Sequence, residues 1–432
     1  SQLFGRHVLT QRWLALTVVC LGMLVSLSAC QAKPPRQSLD ITSPRGQALL
    51  VYNEAWRTVK NEFLDDSYNG QNWERWEHRY DDVLETPEDA YVAIQTMLLS
   101  LNDDYTRFLP PEDMSEQTMQ IDSKLYGVGV QITVKDKKLT VVTTLDDTPA
   151  DAAGLEPNDV ITHIDGEPTA GLDVRDAADL IRGEKGTTVK LLIRREGKKD
   201  KWFDVMRDEI KLKAISDKPP FETELPKNIG YIKMSTFLSS NAAFEMRNII
   251  KEKSDKDGYI IDLRSNPGGL LSNAISIADF FLEGGGIVST VDRDGYKEVR
   301  EASQRVLTNK PLVILIDRGS ASASEILSGA LRDNNRAILV GQTSFGKGLV
   351  QEINRLPGGS GVNITTQRYL TPNDTDINKT GIVPDIVVKI KEEDIKAKKD
   401  LQLESAIDVM NDWLSGKSVK YLQSRNLLRK SS

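Results

Sequence analysis

Two short apolar runs constrain the fold of this chain more than any other feature. Residues 259–263 and 312–316 consist largely of Ile, Leu, Val and Tyr, which is typical of strands that are buried on both faces of a sheet. A helical pattern follows each run, at 270–281 and 322–332. This alternation predicts an α/β core with a mainly parallel sheet, and in such sheets the chemistry lies at the carboxyl ends of the strands.

The rest of the chain divides into segments with different patterns. Its 432 residues exceed what one compact core usually holds, so more than one domain is expected. Apolar residues recur at helical spacing between 47 and 119, whereas 128–134 alternates with period two, as strands do. In chain order, the predicted segments are a signal peptide at 1–29, a linker at 30–46, a helical N-terminal domain at 47–124, a β-rich domain at 125–208, the α/β core at 209–395 and a helical C-terminal segment at 396–432.

The first thirty residues have the pattern of an export signal. Arg6 and Arg12 precede a 17-residue apolar run without charge, at 13–29, and the run leads into the letters LSAC, the last of which is Cys30. These four letters are similar to a bacterial lipobox, in which the cysteine becomes the lipid-modified N-terminus. We therefore expect an exported protein that a lipid on Cys30 anchors to a membrane. The alternatives are an ordinary signal peptide and an uncleaved anchor, since 17 apolar residues are near the lower limit for a membrane span.

Composition excludes several classes of function. Lys and Arg total 56 against 63 for Asp and Glu, a net charge of −7, whereas a nucleic-acid-binding surface normally appears as an excess of Lys and Arg. Two cysteines and three histidines argue against most metal and redox chemistry. We therefore expect no nucleic-acid partner, no metal site and no cofactor.

Two groups of candidate catalytic residues follow predicted strands. Three serines, Ser320, Ser322 and Ser324, lie between the strand at 312–316 and the helix after it. Lys347 lies between two glycines after another strand, which is an unusual place for a solvated surface lysine. A serine at a helix start is more often a cap than a nucleophile, so the serines gain weight only from the lysine.

A phosphate loop is one interpretation of the lysine motif. Gly341-x-x-x-x-Gly346-Lys347 matches the pattern of such a loop after a strand. However, Gly348 occupies the position where Ser or Thr must hold Mg²⁺, and residues 349–353 offer no clear helix to bind phosphate at its N-terminus. A nucleotide-hydrolysing function is therefore disfavoured.

A serine nucleophile with a lysine base is the other interpretation. The histidines beyond the signal peptide, His78 and His163, lie outside the α/β region, so a histidine base is not available there. A lysine can act as the base near pH 7 if burial lowers its pKa from about 10.4 by roughly 2–3 units, a change of about 3–4 kcal/mol. Gln351, four residues after Lys347, can orient the amine without adding a negative charge.

The same chemistry requires an oxyanion hole made of backbone N–H groups aimed at one point. The Ala323 amide, at the start of a helix, is one candidate, and the turn at Gly268 and Gly269 supplies the other. These patterns do not choose Ser322 over Ser320 or Ser324.

Several motifs together resemble those of the carboxyl-terminal processing peptidases, also called tail-specific proteases. The motifs are Tyr126-Gly127-Val128-Gly129-Val130, Thr148-Pro149-Ala150 with Gly154-Leu155-x-Pro157-x-Asp159, Asp262-Leu263-Arg264-x-Asn266-x-Gly268-Gly269, Ser320-Ala321-Ser322-Ala323-Ser324-Glu325 and Phe345-Gly346-Lys347-Gly348. The resemblance extends over residues 45–390 and implies a crotonase/ClpP-like core. It also implies that Ser322 is the nucleophile, that Lys347, 25 residues later, is the base, and that Gln351 orients the lysine.

Residues 125–207 are similar to a PDZ domain. Such a domain binds a peptide as an added strand and captures its terminal carboxylate with backbone N–H groups. The resemblance implies that the capturing loop is Tyr126-Gly127-Val128-Gly129. It follows that the C-terminal tails of proteins would be bound in one domain and cut in the next.

The residues and the resemblance together predict a membrane-tethered serine endopeptidase that cleaves near the C-termini of its substrates without a cofactor. A non-catalytic PDZ adaptor is the alternative from another class, although an adaptor has no reason to keep a lysine buried. The likeness is strongest to cyanobacterial and plastid members of the family. It implies a location in the periplasm or on the thylakoid lumen side, and the photosystem II D1 precursor as substrate, with general trimming of exported tails as the alternative.

Lipid processing at Cys30 predicts the N-terminus of the mature protein. Mass spectrometry of protein purified from membranes is expected to find an acylated N-terminal peptide that begins at Cys30. A mature peptide that still contains Leu27, Ser28 and Ala29 would contradict lipid processing.

Overall fold

The computed structural model describes residues 40–122, 124–145, 148–211, 213–220 and 223–429. The predicted signal peptide, Cys30 and most of the predicted linker lie outside these ranges. Within the described ranges, no helix combines the length and the apolar character that are needed to cross a lipid bilayer.

Helices form most of the N-terminal region, and aromatic side chains fill its core. The elements are α1 (Pro44–Glu62), α2 (Pro87–Leu99), β1 (Arg107–Leu109) and α3 (Pro111–Ile121). The first helix begins inside the predicted linker, where the Ser43 hydroxyl caps it by accepting a hydrogen bond from the Gly46 amide. Tyr52 and Trp73 share one hydrophobic cluster with Ile364, far along the chain, so this region packs against the core.

A β-rich domain with its own hydrophobic core follows. Its elements are β2 (Lys124–Gly127), β3 (Val130–Lys135), β4 (Lys138–Thr144), α4 (Pro149–Ala152), β5 (Val160–Ile164), β6 (Glu167–Pro168), α5 (Val174–Ile181), β7 (Thr188–Arg194), β8 (Lys201–Met206) and β9 (Asp208–Lys211). Strands β3, β4, β5, β7 and β8 pair in that order in an antiparallel sheet, and β6 pairs with β5. The separate β2–β9 ladder joins the two ends of the domain.

The third region contains the predicted alternation of strands and helices. Its elements are β10 (Ile215–Ser216), β11 (Ile229–Met234), α6 (Ala242–Glu252), β12 (Gly258–Asp262), α7 (Leu271–Asp279), β13 (Gly286–Val291), β14 (Lys297–Glu301), β15 (Leu312–Ile316), α8 (Ala323–Asp333), β16 (Ile338–Gly341), β17 (Leu349–Arg355), β18 (Gly361–Leu370) and β19 (Ile386–Val387). The central sheet has the order β10-β11-β12-β15-β16-β19. All its neighbouring pairs are parallel except β10 and β11.

Burial on both faces of the central sheet explains the apolar runs in the sequence. The C-terminal helices are α9 (Glu392–Lys396), α10 (Leu401–Leu414) and α11 (Val419–Arg429). In β15, Val313 and Leu315 belong to the cluster that includes Met410 of α10. Ile314, between them, belongs to the opposite cluster with Leu327 of α8. Since successive side chains of a strand point to opposite faces, a strand covered on both sides must be apolar throughout.

A second sheet corrects the expectation of a mainly parallel core. Strands β1, β18, β13 and β14 pair in that order, β17 pairs with β18, and all of these pairs are antiparallel. The sheet of the β-rich domain is antiparallel as well, so the described sheets are mostly antiparallel and parallel pairing is confined to the central sheet. The sequence pattern missed the second sheet because alternation reports local structure, whereas β1 and β18 are distant in the chain.

A buried ion network joins the C-terminal segment to the carboxyl end of β12. The Arg264 Nη1 donates to Asp400 Oδ1 at 2.7 Å, and its Nη2 donates to Asp262 Oδ2 at 2.6 Å. All three side chains are buried. Burial alone would raise the pKa of Asp262, but the hydrogen bonds and charge of Arg264 hold it below its usual range. The network therefore fixes the start of the turn that leads to Gly268.

Removal of Asp400 is expected to destabilise the protein strongly. Asp400→Ala leaves the buried Arg264 guanidinium short of a partner, which costs about 3–5 kcal/mol of unfolding free energy. Asp412→Ala is the matched control, because Asp412 pairs with Lys417 on the surface, where such pairs contribute roughly 0–1 kcal/mol. Guanidinium denaturation followed by circular dichroism measures both changes, and equal losses for the two variants would contradict the buried network.

Candidate active site

A cavity of about 500 Å³ lies among the segments that follow β12, β15 and β16. Four of the predicted site residues line it, namely Gly268, Ser322, Lys347 and Gln351. The remaining lining is mixed, and its apolar side chains are Leu238, Pro267, Leu270, Leu271, Ile326, Leu349, Val350 and Ile353. The structure therefore brings the predicted nucleophile, base and orienting residue to one site, beside a surface that can bind apolar side chains.

The three candidate serines have different surroundings. Ser320 and Ser324 are fully buried, and their hydroxyls donate to the carbonyl oxygens of Leu263 and Asn266, both at 2.9 Å. Ser322 is partly exposed and lines the cavity. The residue pattern left the choice among the serines open, whereas their burial leaves Ser322 as the one of the three whose hydroxyl can meet a substrate.

Ser322 lies in a strained turn between β15 and α8. Its backbone has φ +54° and ψ −115°, in the left-handed half of the map that residues other than glycine rarely adopt. The Ser322 amide donates to Glu325 Oε2 at 2.9 Å, and the Tyr369 hydroxyl donates to the Ser322 carbonyl oxygen at 3.3 Å. Strain of this kind costs of order 1–3 kcal/mol and concentrates at functional sites.

The glycine turn after β12 packs directly against Ser322. A Cβ atom on Gly268, whose φ is +97°, would lie 2.9 Å from the Ala323 nitrogen and 2.9 Å from the Ser322 Cβ, so a larger residue cannot take this place. The Gly268 amide donates to Asn266 Oδ1 at 2.9 Å. Among the described residues, the Ala323 and Gly269 amides have no hydrogen-bond acceptor. In this conformation those two amides are free to bind an oxyanion, and the role of Gly268 stays a prediction.

Lys347 is carried on a loop that its two glycines fix in place. A Cβ on Gly346 or on Gly348 would come within 2.9 Å or 2.7 Å of backbone nitrogen atoms in the adjoining loop. The Lys347 Nζ lies 4.6 Å from the centroid of the Tyr105 ring, a cation–π distance. In the part of the chain that the structure describes, this amine forms no hydrogen bond, so it lines the cavity with Ser322 without contacting the hydroxyl.

Burial lowers the pKa of Lys347, and the positive charge of Arg107 adds to this effect. Arg107 begins β1 and lines the same cavity. Asp103 and Glu325 act in the opposite direction, because their negative charges favour the ammonium form, but the net direction is downward. A lowered pKa increases the neutral fraction at any given pH, which is what a lysine base requires.

Gln351 is engaged by another partner in this conformation. It lies at a β-bulge in β17, and its Nε2 donates to the Thr365 hydroxyl at 3.2 Å. The Thr365 hydroxyl in turn donates to Asp103 Oδ2 at 2.7 Å. The proposed contact of Gln351 with the Lys347 amine therefore stays a prediction.

The predicted carboxylate-binding loop covers the last two residues of β2 and the two residues that connect it to β3. Among the described residues, the amides of Val128 and Gly129 donate to no acceptor. Gly129 has φ +80°, and a Cβ there would lie 2.4 Å from the Thr148 Cβ, so this position accepts only glycine. Tyr126, at the edge of this loop, lines a second cavity of about 400 Å³ together with Met119 of α3.

Sequence reasoning missed three groups around the lysine. Glu325 could have been suspected, because Ser322-x-x-Glu325 has the spacing of a helix capping box. Tyr105 and Arg107 come from the N-terminal region, and no local pattern connects them with Lys347. Only the packing of that region against the core brings them to the cavity.

Comparisons with known proteins agree with the geometry. Residues 228–388 match the model of the family described as "Peptidase family S41", and residues 141–195 match that of "PDZ domain". The chain is 41% identical over 376 residues to a carboxyl-terminal-processing protease of Picosynechococcus, with 84% of this chain and 89% of that protein covered. It is 36% identical over 352 residues to the chloroplastic carboxyl-terminal-processing peptidase 2 of Arabidopsis thaliana, with 78% and 68% covered. A solved structure titled photosystem II D1 C-terminal processing protease matches with a TM-score of 0.52 and 31% identity, over 84% of this chain and 97% of that one.

Proposed function

The chain belongs to the carboxyl-terminal-processing proteases of peptidase family S41, and we propose that it cleaves protein tails through a Ser322/Lys347 dyad. One observation carries the proposal: a partly exposed serine on a strained turn and a half-buried lysine with a lowered pKa line the same cavity. Strained backbone and perturbed titration both concentrate at catalytic sites.

In the proposed mechanism, the neutral Lys347 amine accepts the hydroxyl proton of Ser322 while the serine oxygen attacks the carbonyl carbon of the scissile peptide bond. Backbone amides stabilise the resulting oxyanion, and the predicted pair is Ala323 and Gly268, the second of which would first have to leave Asn266 Oδ1. The lysine ammonium then gives its proton to the departing amine as the C–N bond breaks. In the second half, the neutral Lys347 amine takes a proton from a water molecule whose oxygen attacks the acyl carbon. The ammonium then returns that proton to the Ser322 oxygen as the ester C–O bond breaks, which releases the new carboxyl end and restores the serine.

The proposed reaction requires the Lys347 side chain to move from the Tyr105 ring toward Ser322. The face of an aromatic ring attracts an ammonium more than a neutral amine, so leaving the ring also favours loss of the proton. Gln351 would then exchange its bond to Thr365 for one to the amine, which holds the base in the new position. Lys347 and Gln351 both line the cavity, and Thr365 contacts Gln351. The rearrangement is therefore local.

Tail recognition is proposed for the PDZ domain. The amides of Val128 and Gly129, which have no acceptor within the described ranges, are suited to donate to a terminal carboxylate, and an extended peptide can add to the edge of β3 beside α5. Such binding selects chain ends and leaves the segment upstream of the end free to enter the cavity at Ser322.

We further propose the photosystem II D1 precursor as a substrate, because a solved relative carries that protein in its title. Trimming of other exported tails is the alternative. Export and a lipid anchor on Cys30 are proposed from the apolar run at 13–29, and they would put the protease on the periplasmic or luminal side of a membrane.

Replacement of either proposed dyad residue is expected to abolish cleavage. Ser322→Ala removes the nucleophile and Lys347→Ala the base, while Lys347→Arg substitutes a group that stays protonated. Rates for a tailed reporter and for a D1 precursor tail, read by mass spectrometry of the products, should fall on the order of 10³-fold or more. Undiminished cleavage by any of the three variants would contradict the dyad. Wild-type cleavage of the reporter but not of the D1 tail would contradict the substrate alone.

A pair of glycine variants tests tail capture by the PDZ domain. Gly129→Ala drives a Cβ into Thr148 and should distort the carboxylate loop, whereas Gly166→Ala has a similar positive φ with open space around it. We expect Gly129→Ala to raise KM for a tailed reporter by about 10-fold or more, the equivalent of about 1.4 kcal/mol, and Gly166→Ala to leave KM near its wild-type value. With the wild-type enzyme, a reporter whose terminal carboxylate is amidated should show a similar rise in KM. Equal KM for the free and amidated tails would overturn carboxylate capture.

A further inference from the structure

We propose that Glu325 is a positioning residue that fixes the turn at Ser322 relative to the loop at residues 344–347, which carries Lys347. The inference rests on the proposed Ser322/Lys347 dyad and adds a residue that neither bonds to substrate nor exchanges a proton. Glu325 lies in the first turn of α8, three residues after Ser322, and only 1% of its surface is exposed. Its role follows from the hydrogen bonds that its two carboxylate oxygens accept.

Both catalytic segments donate hydrogen bonds to this single carboxylate. Its Oε2 accepts from the backbone N–H groups of Ser322 and Lys347, each at 2.9 Å. Its Oε1 accepts from the backbone N–H of Gly346 at 2.7 Å and from the Ser344 hydroxyl. The carboxylate of Glu325 thus fixes the backbone of the nucleophile, after β15, relative to the backbone of the base, after β16.

A local capping role would not require this arrangement. Capping of α8 explains the bond from the Ser322 amide, but it does not explain the three bonds from residues 344–347. A buried carboxylate normally needs a cation, yet within the described residues no Lys or Arg side chain forms an ion pair with Glu325. Four close N–H and O–H donors compensate for the burial instead, and the Tyr369 hydroxyl, at 3.5 Å from Oε2, adds a longer fifth bond. This number of donors is what makes the site specific for a carboxylate.

The charge of Glu325 works against the chemistry, which argues that its geometry is what matters. Its negative charge raises the pKa of Lys347, as does that of Asp103, whereas burial and Arg107 lower it. Asp104 lines the same cavity and Tyr105 presents its ring face to the amine. A neutral residue at 325 would therefore favour the neutral base, but it could not accept all four hydrogen bonds.

The isosteric variant Glu325→Gln separates the two effects. Its single amide oxygen can accept only part of the four close bonds, and its NH₂ group would face other donors. The turn at Ser322 and the loop at residues 344–347 should therefore lose their fixed relative position. We expect kcat per active site to fall about 100-fold with KM for a tailed reporter nearly unchanged, the size of effect that a displacement of about 1 Å produces. The acid limb of the kcat/KM profile should move to lower pH, because a negative charge near the base has been removed.

The control is the same substitution at a partly buried carboxylate that also accepts two backbone N–H bonds. Glu245 of α6 accepts hydrogen bonds from the Ala214 and Ile215 amides, at 2.8 and 3.1 Å, away from the cavity. Glu245→Gln should leave kcat and the pH profile at wild-type values. A serine-directed fluorophosphonate, titrated to completion, counts the folded active sites in each preparation and removes folding losses from kcat.

A second variant, Glu325→Asp, keeps the negative charge but shortens the side chain by one methylene group. Glu325→Asp should lower kcat with the acid limb unmoved, and it decides the matter if Glu325→Gln does not fold. Wild-type kcat per labelled site in Glu325→Gln, or in Glu325→Asp, would overturn the positioning role. Failure of the dyad itself is distinguishable, because it appears as undiminished cleavage by Ser322→Ala or Lys347→Ala whatever the Glu325 variants do.

Discussion

The partial burial of the Lys347 amine is the constraint on which the rest of the structure depends. An ammonium loses hydration when it is buried, so its pKa falls, and the charge of Arg107 lowers it further. Keeping the amine out of water requires neighbours on several sides, and these are the close-packed loop at Gly346 and Gly348, the Tyr105 ring and the apolar side chains among the cavity lining. The contacts of the fold bring these neighbours together around the Lys347 amine.

These neighbours come from distant parts of the chain, and two sheets bring them together. The central sheet supplies the turns that carry Gly268, Ser322 and Lys347, all at the ends of strands. The antiparallel sheet supplies Gln351 on β17, and through the β1–β18 ladder it attaches the N-terminal region that carries Arg107. The C-terminal helix α10 covers the opposite face and holds Arg264 through Asp400. The central sheet, the antiparallel sheet and the N-terminal region therefore each contribute residues to one cavity, and the turns of the central sheet carry the proposed dyad.

The sequence predicted the parts of this fold that local pattern controls. Strand β15 was predicted at its observed bounds, and α8 within one residue, because burial on both faces and a helical repeat leave clear signals. The resemblance to a family predicted Ser322 as the nucleophile, and the burial of Ser320 and Ser324 favours that prediction. What the sequence could not predict depends on tertiary contact: the antiparallel sheet, the Tyr105 ring beside Lys347, and the bond of Gln351 to Thr365.

The most direct test of the account compares two titrations on the wild-type protein. Competitive acetylation of lysines, read peptide by peptide in a mass spectrometer, gives the pKa of Lys347, and the rate at which a fluorophosphonate labels Ser322 gives the pH dependence of the nucleophile. The account predicts that the two curves share one midpoint, below the value of about 10.4 for a free lysine. A Lys347 amine that is still fully protonated at a pH where Ser322 reacts at its maximal rate would contradict it.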